Sequence, residues 1–493
     1  MPDSIIARAR PLMAARLAGA ALTFAVPLVL ARVLVPASYG TFKQAWLLSQ
    51  TLALVLPLGL TQSLYYFVPR DPARRDRYVA QTAWALLAVG AASALLLLLA
   101  RPWVAAHFDN PELTRNLPWV AAFTAFTVAG APLDVAWNAT GRIGAAALVR
   151  VATEGGRGAA MVAGALLWRS VEGVFAGIAL ATATRAALSL WLLARRHGVR
   201  GDLALLRRQV AYALPFGLAF VLIVPQQQWH QYAVAAAVSA AAFAVYSVGT
   251  FQLPVVDVLY TPVSELLQIG LAEHEGAGRP PRAGLALFHE AVLQLSFAFV
   301  PLAGLLAVAA PVLVPFLFSP RYAAAVPIFR LATGSVLLAA LPLDGVMRAR
   351  AQNRFMLALS AAKLGGTAAL VAGGLALLGP IGALGGWIVA EAAARAAMLA
   401  RTATLFEAPL RQALPVRALA RQVGATAVAA PAAWVALNAL AAPPFFRLAA
   451  CGLAFAAAYL GVSWAFGWLP AGWVGLFRSR RGVRAPAAPP ESA

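Results

Sequence analysis

The sequence predicts an all-α polytopic membrane protein with about fourteen transmembrane helices, arranged as two parallel six-helix lobes plus two C-terminal helices. Three observations predict it. The 493 residues are 61% hydrophobic and only 12% charged, against about 25% charged in a soluble domain. Unbroken apolar runs, each long enough to cross about 30 Å of hydrocarbon as a helix, recur along the whole length. They are solid rather than alternating, which selects helices over strands, and in lipid only helices or closed barrels satisfy their backbone groups.

The elements follow in order. The first run, 12–35, is too long for the apolar core of a cleaved signal and carries Arg16, so it is read as span 1. A turn on Pro36 and Gly40 opens span 2, at 41–67. Further spans are predicted at 79–100, 117–139, 144–168, 172–194, 212–240, 243–268, 286–316, 324–347, 353–377, 380–401, 421–441 and 446–468. The connecting segments are short, the largest being 101–116, 195–211, 269–285 and 402–420. Within 201–213, Leu203, Leu206 and Val210 share a helical face beside Arg207 and Arg208, which reads either as an interfacial helix or as a plain linker. The tail from Arg478 is Arg-, Pro- and Ala-rich and reads as disordered.

Net charge is +21. In this class that charge orients the spans instead of binding nucleic acid. With the N-terminus inside, 26 of the 39 basic residues fall in cytoplasmic segments and 5 in outer ones. Both termini are therefore expected in the cytoplasm. Only Lys43 and Lys363 are lysines, and the Arg and Ala excess matches a codon-composition bias. The single cysteine, Cys451, excludes an internal disulfide. The Asn138-Ala139-Thr140 sequon falls on the cytoplasmic side and is read as chance.

A repeat organises the chain. Gly40-Thr41-Phe42 returns as Gly249-Thr250-Phe251, Pro132-Leu133-Asp134 as Pro342-Leu343-Asp344, and Arg185-Ala186-Ala187 as Arg395-Ala396-Ala397. The offsets are 209, 210 and 210, equal to six spans, so both copies face the same way. The expected organisation is an N-terminal lobe over 1–197, a cytoplasmic linker at 198–211, a C-terminal lobe over 212–401, spans 13 and 14 within 402–476, and a tail at 477–493.

Ionisable residues inside spans cost at least ~2.5 kcal/mol each on insertion scales, so they face a cavity or a partner. The basic ones are Arg16, Arg32, Lys43, Arg157, Arg185, Arg330, Lys363 and Arg395. The acids are Asp134, Glu154, Asp257, Glu265, Glu290, Asp344 and Glu391. Glu154 with Arg157, Glu391 with Arg395, and Asp344 with Arg348 have helical pair spacing. Asp134, Asp344, Glu154, Arg185, Glu391 and Arg395 are accordingly read as salt-bridge or gate residues. Arg16, Arg32, Lys43, Arg330 and Lys363 lack an acid nearby in sequence; they suit an anionic ligand, or near span ends they snorkel toward headgroups. Span 7 carries Gln226, Gln227, Gln228, Trp229, His230 and Gln231 after Pro225. Such a block suits a discontinuous helix at a substrate site, or interhelical hydrogen bonds in a bundle. Asp257 reads either as a coupling residue or as the partner of a neighbouring cation. Phosphate loops and metal spacings are missing, so no catalytic residue, metal or cofactor is predicted, and the chain is not read as an enzyme.

Leu30-Ala31-Arg32-Val33-Leu34-Val35-Pro36 with Tyr39-Gly40, Leu58-Gly59-Leu60, Tyr66-Phe67-Val68-Pro69-Arg70 and Tyr246-Ser247-Val248-Gly249 resemble the Wzx-type oligosaccharide flippases of the multidrug/oligosaccharidyl-lipid/polysaccharide exporter superfamily. The resemblance covers about residues 8–468. It implies a bacterial inner-membrane transporter that moves a polyprenyl-diphosphate-linked oligosaccharide between leaflets, for polysaccharide or O-antigen export. Its partners would be that substrate, membrane lipids, and a polysaccharide polymerase or glycosyltransferases. On this reading Arg16, Arg32, Lys43, Arg157, Arg330 and Lys363 serve the diphosphate, and the Gln226–Gln231 block with Asp257 serves sugars or coupling. Members often carry an acid in the middle of span 7, where this chain has Gln228-Trp229-His230-Gln231-Tyr232. Arg32 aligns near Ala241 and Lys43 with Gln252, so the N-terminal lobe is expected to hold more of the anionic headgroup. The alternative is a multidrug or organic-cation antiporter of the same superfamily, which needs acids to dominate its cavity.

Overall fold

The computed structural model describes residues 24–251 and 253–470. The described residues are helical throughout, with no strand. In order the helices are α1 (Phe24–Val33), α2 (Pro36–Val55), α3 (Leu60–Arg70), α4 (Arg75–Leu99), α5 (Arg101–Phe108), α6 (Pro111–Gly130), α7 (Pro132–Ala139), α8 (Ile143–Trp168) and α9 (Val171–His197). Then follow α10 (Leu203–Ala237), α11 (Ala240–Gly249), α12 (Pro254–Gly276), α13 (Ala283–Leu317), α14 (Val326–Leu338), α15 (Leu343–Ala349), α16 (Asn353–Leu405), α17 (Val416–Ala439) and α18 (Pro444–Ala465). Among the described residues nine helical segments are long and apolar enough to cross a membrane. α8, α10 and α17 are of comparable length, and α16 is a double pass bent at Gly379 (φ 63°) before Pro380. A helix occupies each predicted span; for span 1 only its second half lies within the described residues.

Four spans read as continuous are in fact broken. Span 2 turns at Pro57–Gly59, where Leu58 and Gly59 have φ of 46° and 72°. Spans 4, 8 and 10 break just before Pro132, Pro254 and Pro342. Proline lacks the N–H that would continue the ladder and disfavours helix in the residue before it. The reverse error occurs in span 7. No discontinuity exists at Pro225: α10 runs unbroken through Pro215 and Pro225, and the Gln226 side-chain Nε2 donates to the Leu222 carbonyl at 3.0 Å. Nor is 201–213 a separate interfacial helix. Asp202 caps α10 by accepting from the N–H groups of Ala204 and Leu205, and the segment from Leu203 is its first turns.

The chain divides into two compact units, described in turn. Unit 1 comprises residues up to 254 together with 317–328 and 360–387. There α6 packs on α4, α9 and α2, α8 packs on α9, and α11 packs on α2. Its fully buried side chains include Leu30, Leu34, Tyr39, Phe123 and Phe175. A second cluster joins Leu64, Val68, Tyr78, Leu133, Leu193 and Leu205. The repeat is visible in local geometry. Gly40 abuts the Ala240 carbonyl and Gly249 abuts Ile328 and Ala325, so each glycine lies where a neighbouring segment passes too close for a side chain. Thr41 and Thr250 each return their hydroxyl to the carbonyl four residues back, at 3.1 and 3.0 Å.

Unit 2 comprises 255–316, 329–359 and 388 onward. One core gathers Leu267, Phe288, Val292, Leu343, Met347 and Phe406. Another binds α13 to α17 and α18 through Phe297, Ala425, Ala429, Cys451, Phe455 and Tyr459. Asp344 accepts from Tyr260, Ser264 and Arg348, while Arg395 pairs with Glu391 at 3.3 Å and donates to Leu341 O at 3.1 Å.

Candidate functional site

The site is built in unit 1 where α1, α2 and α8 meet. On α2, positions 39, 42, 43 and 46 lie on adjoining faces of successive turns. Tyr39 and Phe42 point into the core and Lys43 and Trp46 line a pocket. On α8, Glu154, Arg157, Gly158 and Met161 fall one turn apart on one face and form the opposite wall. Val26 and Pro27 of α1 close it. The pocket measures about 100 Å³.

Its charges are two cations and one anion. Arg157 is ion-paired with Glu154, one turn before it, and lies over the Trp46 ring at 5.5 Å. Lys43 stands 5.6 Å from the centre of the Tyr39 ring. Trp46 is itself fixed by stacking on Phe123 at 5.6 Å. The indole is thus a fixed platform with the Arg157 guanidinium over it, in a pocket that Lys43 also lines. A guanidinium has five donors in a planar fork, and one carboxylate does not exhaust them. The arrangement can hold an anion with several oxygens, with an aromatic face beside it for an apolar or sugar surface.

Behind this pocket a hydrogen-bond network fixes α2. Asn110 donates to Thr41 at 2.9 Å and to Gln44 at 2.7 Å, Gln44 donates to Ala235 O at 3.1 Å, and Glu112 accepts from Ser38 and Thr41. Further along, Thr51 donates to Gln228 at 2.6 Å and accepts from Tyr232 at 2.7 Å. Sequence reasoning passed over Trp46, Gln44, Thr51 and Asn110. The partners named above stand 66 to 191 positions away, so no spacing could have marked them.

The other sequence-predicted residues fall as follows. Arg16 lies outside the described residues. Arg32 is exposed and donates to Leu317 O at 3.1 Å. Lys363 is half-buried on α16 and does not line the pocket. Arg330, in unit 2, is exposed and donates to Ala307 O at 3.0 Å. So of the six cations assigned to a diphosphate, the structure brings Lys43 and Arg157 together. The glutamine block is split by the helix. Gln226 and His230 are buried: Gln226 donates to Ser360 O, its carbonyl accepts from Trp387, and His230 meets Tyr246 at 2.6 Å. Gln227 and Trp229 are exposed, and Gln228 and Gln231 are half-buried. Asp257 is exposed on α12. The predicted short-range pairs form: Glu154 with Arg157, Glu391 with Arg395, and Asp344 with Arg348. Asp134 pairs with Arg185 at 3.4 Å, joining α7 to α9.

Comparison with known proteins adds to this geometry. A family model described as polysaccharide biosynthesis protein matches residues 29–327. A search of curated proteins finds no match. Among solved structures, the fold is similar to that of "Lipid II flippase MurJ, inward closed conformation", with a TM-score of 0.74 at 11% identity, over 95% of this chain and 99% of that one. It is also similar to a transporter of the MOP superfamily (the multidrug/oligosaccharidyl-lipid/polysaccharide exporters) from Pyrococcus furiosus, with a TM-score of 0.53 at 14% identity, over 80% of this chain and 95% of that one. A Vibrio cholerae MATE transporter is similar at a TM-score of 0.53 and 16% identity, over 80% of this chain and 96% of that one.

Proposed function

The chain belongs to the polysaccharide biosynthesis protein family, and from that premise we propose that it is a flippase. Its substrate is a polyprenyl-diphosphate-linked oligosaccharide, carried from the inner to the outer leaflet of a bacterial inner membrane by alternating access. The observation that carries the reading is the pocket lined by Lys43, Arg157 and Trp46, whose one carboxylate, Glu154, is paired with Arg157. In a span such charges persist only where they serve a cavity or a partner. Glu154 neutralises half of the basic charge of the empty pocket, which keeps the two cations affordable at membrane depth. The remaining positive charge and the spare guanidinium donors suit a diphosphate, which Arg binds through parallel N–H···O bonds. The exposed amide and indole of Gln227 and Trp229 suit sugar hydroxyls and a sugar face. The N-terminal lobe over 1–197 holds the headgroup, the C-terminal lobe over 212–401 lacks these two cations, and the two leaflets are served in turn. Export of O-antigen or exopolysaccharide, with a polymerase or glycosyltransferases acting on the same substrate, is the setting this implies.

A MATE-like antiporter of organic cations is the second reading, favoured by the fold similarity. It calls for acids to dominate, and this pocket has two bases to one acid. Reconstitution in liposomes separates the two. With a fluorescent polyprenyl-diphosphate oligosaccharide, wild-type protein should accelerate leaflet exchange. Lys43→Gln and Arg157→Gln should each lower it at least tenfold, in line with about 1.5–3 kcal/mol for a lost charge-assisted hydrogen bond. Exchange unaltered in both variants, or uptake of an organic cation in place of lipid exchange, removes the proposal.

A further inference from the structure

Arg157 lines two hollows. One is the pocket it shares with Lys43 and Trp46. The other is larger, about 260 Å³, and lies among α7, α8 and α9. Leu133, Val149, Leu188 and Leu192 form its walls, and Gly156 and Ala152 leave the space open. Its three threonines add little polarity. Thr153, Thr182 and Thr184 return their hydroxyls to the carbonyls of Val149, Ile178 and Leu180 at 2.7, 2.8 and 2.9 Å. That back-bonding leaves methyl groups as what they offer a ligand.

Charge appears only at Arg157 and Arg185. Arg185 gives one terminal nitrogen to Asp134, and its Nε is buried with no hydrogen-bond partner. A buried donor left unsatisfied is costly, so an acceptor arriving there is favoured. The hollow therefore presents hydrocarbon directly beside two guanidiniums. A glycerophospholipid would put two ester groups between phosphate and chain, against a wall that has no donors for them. A prenyl phosphate has hydrocarbon from the phosphate oxygen outward, which matches. The rim is accessible, with Leu188 51% exposed. Residues 149–157 and 181–192 are the halves of α8 and α9 remote from their connecting turn at Arg169. In the orientation expected from the arginine distribution, that is the inner-leaflet half.

We propose that this hollow is a binding site for the phosphate-proximal isoprenoid units of the lipid carrier, with the diphosphate held at Arg157 between the two hollows. The inference rests on the flippase reading and deepens it: this lobe recognises the carrier's phosphate–prenyl junction, whatever sugars are attached.

Gly156 allows the test. Nothing lies within 4 Å of a Cβ built there, so a side chain enters the hollow without displacing the fold. In proteoliposomes, Gly156→Leu should lower exchange of the lipid-linked oligosaccharide at least tenfold, and Gly156→Ala less. A diazirine in the second isoprene unit of a prenyl-diphosphate sugar should label peptides of α8 and α9. Arg157→Gln, run alongside, reports on the flippase reading itself. Loss with Arg157→Gln, but wild-type exchange with Gly156→Leu and labelling elsewhere, overturns the prenyl site and leaves the flippase. Wild-type exchange with Arg157→Gln overturns the prenyl site, and with Lys43→Gln unaltered as well it overturns the flippase reading too. Should Gly156→Leu fail to fold, the photolabel decides alone: α8 and α9 support the site, any other position overturns it.

Discussion

Asp134 and Arg185 occupy the same repeat positions as Asp344 and Arg395, yet their partners differ. In the second copy each residue has its charge partner on its own helix, Asp344 in Arg348 and Arg395 in Glu391. In the first copy the residues matching Arg348 and Glu391 are Asn138 and Ala181. Both local partners are gone, and Asp134 and Arg185 bond each other instead. Removing one member leaves a largely buried charge unpaired, which costs about 3–5 kcal/mol in a fully buried pair. Asp134→Asn should therefore destabilise the protein by about 2–3 kcal/mol, discounted for partial exposure, and adding Arg185→Gln should restore most of that. Thermal unfolding of the four proteins of the cycle in detergent measures it; independent, additive losses would mean that the pair contributes nothing. The sequence displayed the intrahelical pairs because four-residue spacing is local. It could not display Asp134–Arg185, nor Trp46 beside Arg157, because helix packing makes those contacts.

At the scale of the element, apolar length made the spans legible and proline placement did not make the breaks legible. Pro132 and Pro342 interrupt helices while Pro225 does not, although all three lie in apolar runs. The difference is tertiary: α10 is held along its length by Gln209 bonding Gln81, Ser63 and Thr82, by Gln226 bonding Ser360 O, and by Tyr232 bonding Thr51. Close approach is likewise hidden in sequence. Gly40 reads as a turn residue, but it sits inside α2 against the Ala240 carbonyl. Gly40→Ala should cost about 1–3 kcal/mol by forcing α2 from α11. Gly424→Ala, in α17 with open space around its Cβ, should gain about 0.5–1 kcal/mol. Melting temperatures moving the same way for both would contradict the assignment.

For the whole molecule, the sequence showed the helical class and the duplication, because hydropathy and a fixed offset persist along the chain. It did not show which cations converge, because that depends on how the helices turn about their axes. The inferred orientation has its own test. In a Cys451→Ala background, a cysteine at Gly198 should react in intact cells only with a membrane-permeant maleimide, and one at Arg169 with an impermeant one. The opposite pattern would invert the topology and place the hollow beside Arg157 in the outer leaflet.

The exchange of partners at Asp134 also has an evolutionary reading. In the first copy the compatible change is spread over 51 positions, so related sequences should vary 134 and 185 together. In the second copy each charge is answered within four residues, so 344 should follow 348 and 391 should follow 395, with 344 and 395 varying independently. The two copies of the repeat thus carry different mutational constraints. A single arginine at 138 would offer Asp134 a local partner and loosen its dependence on 185.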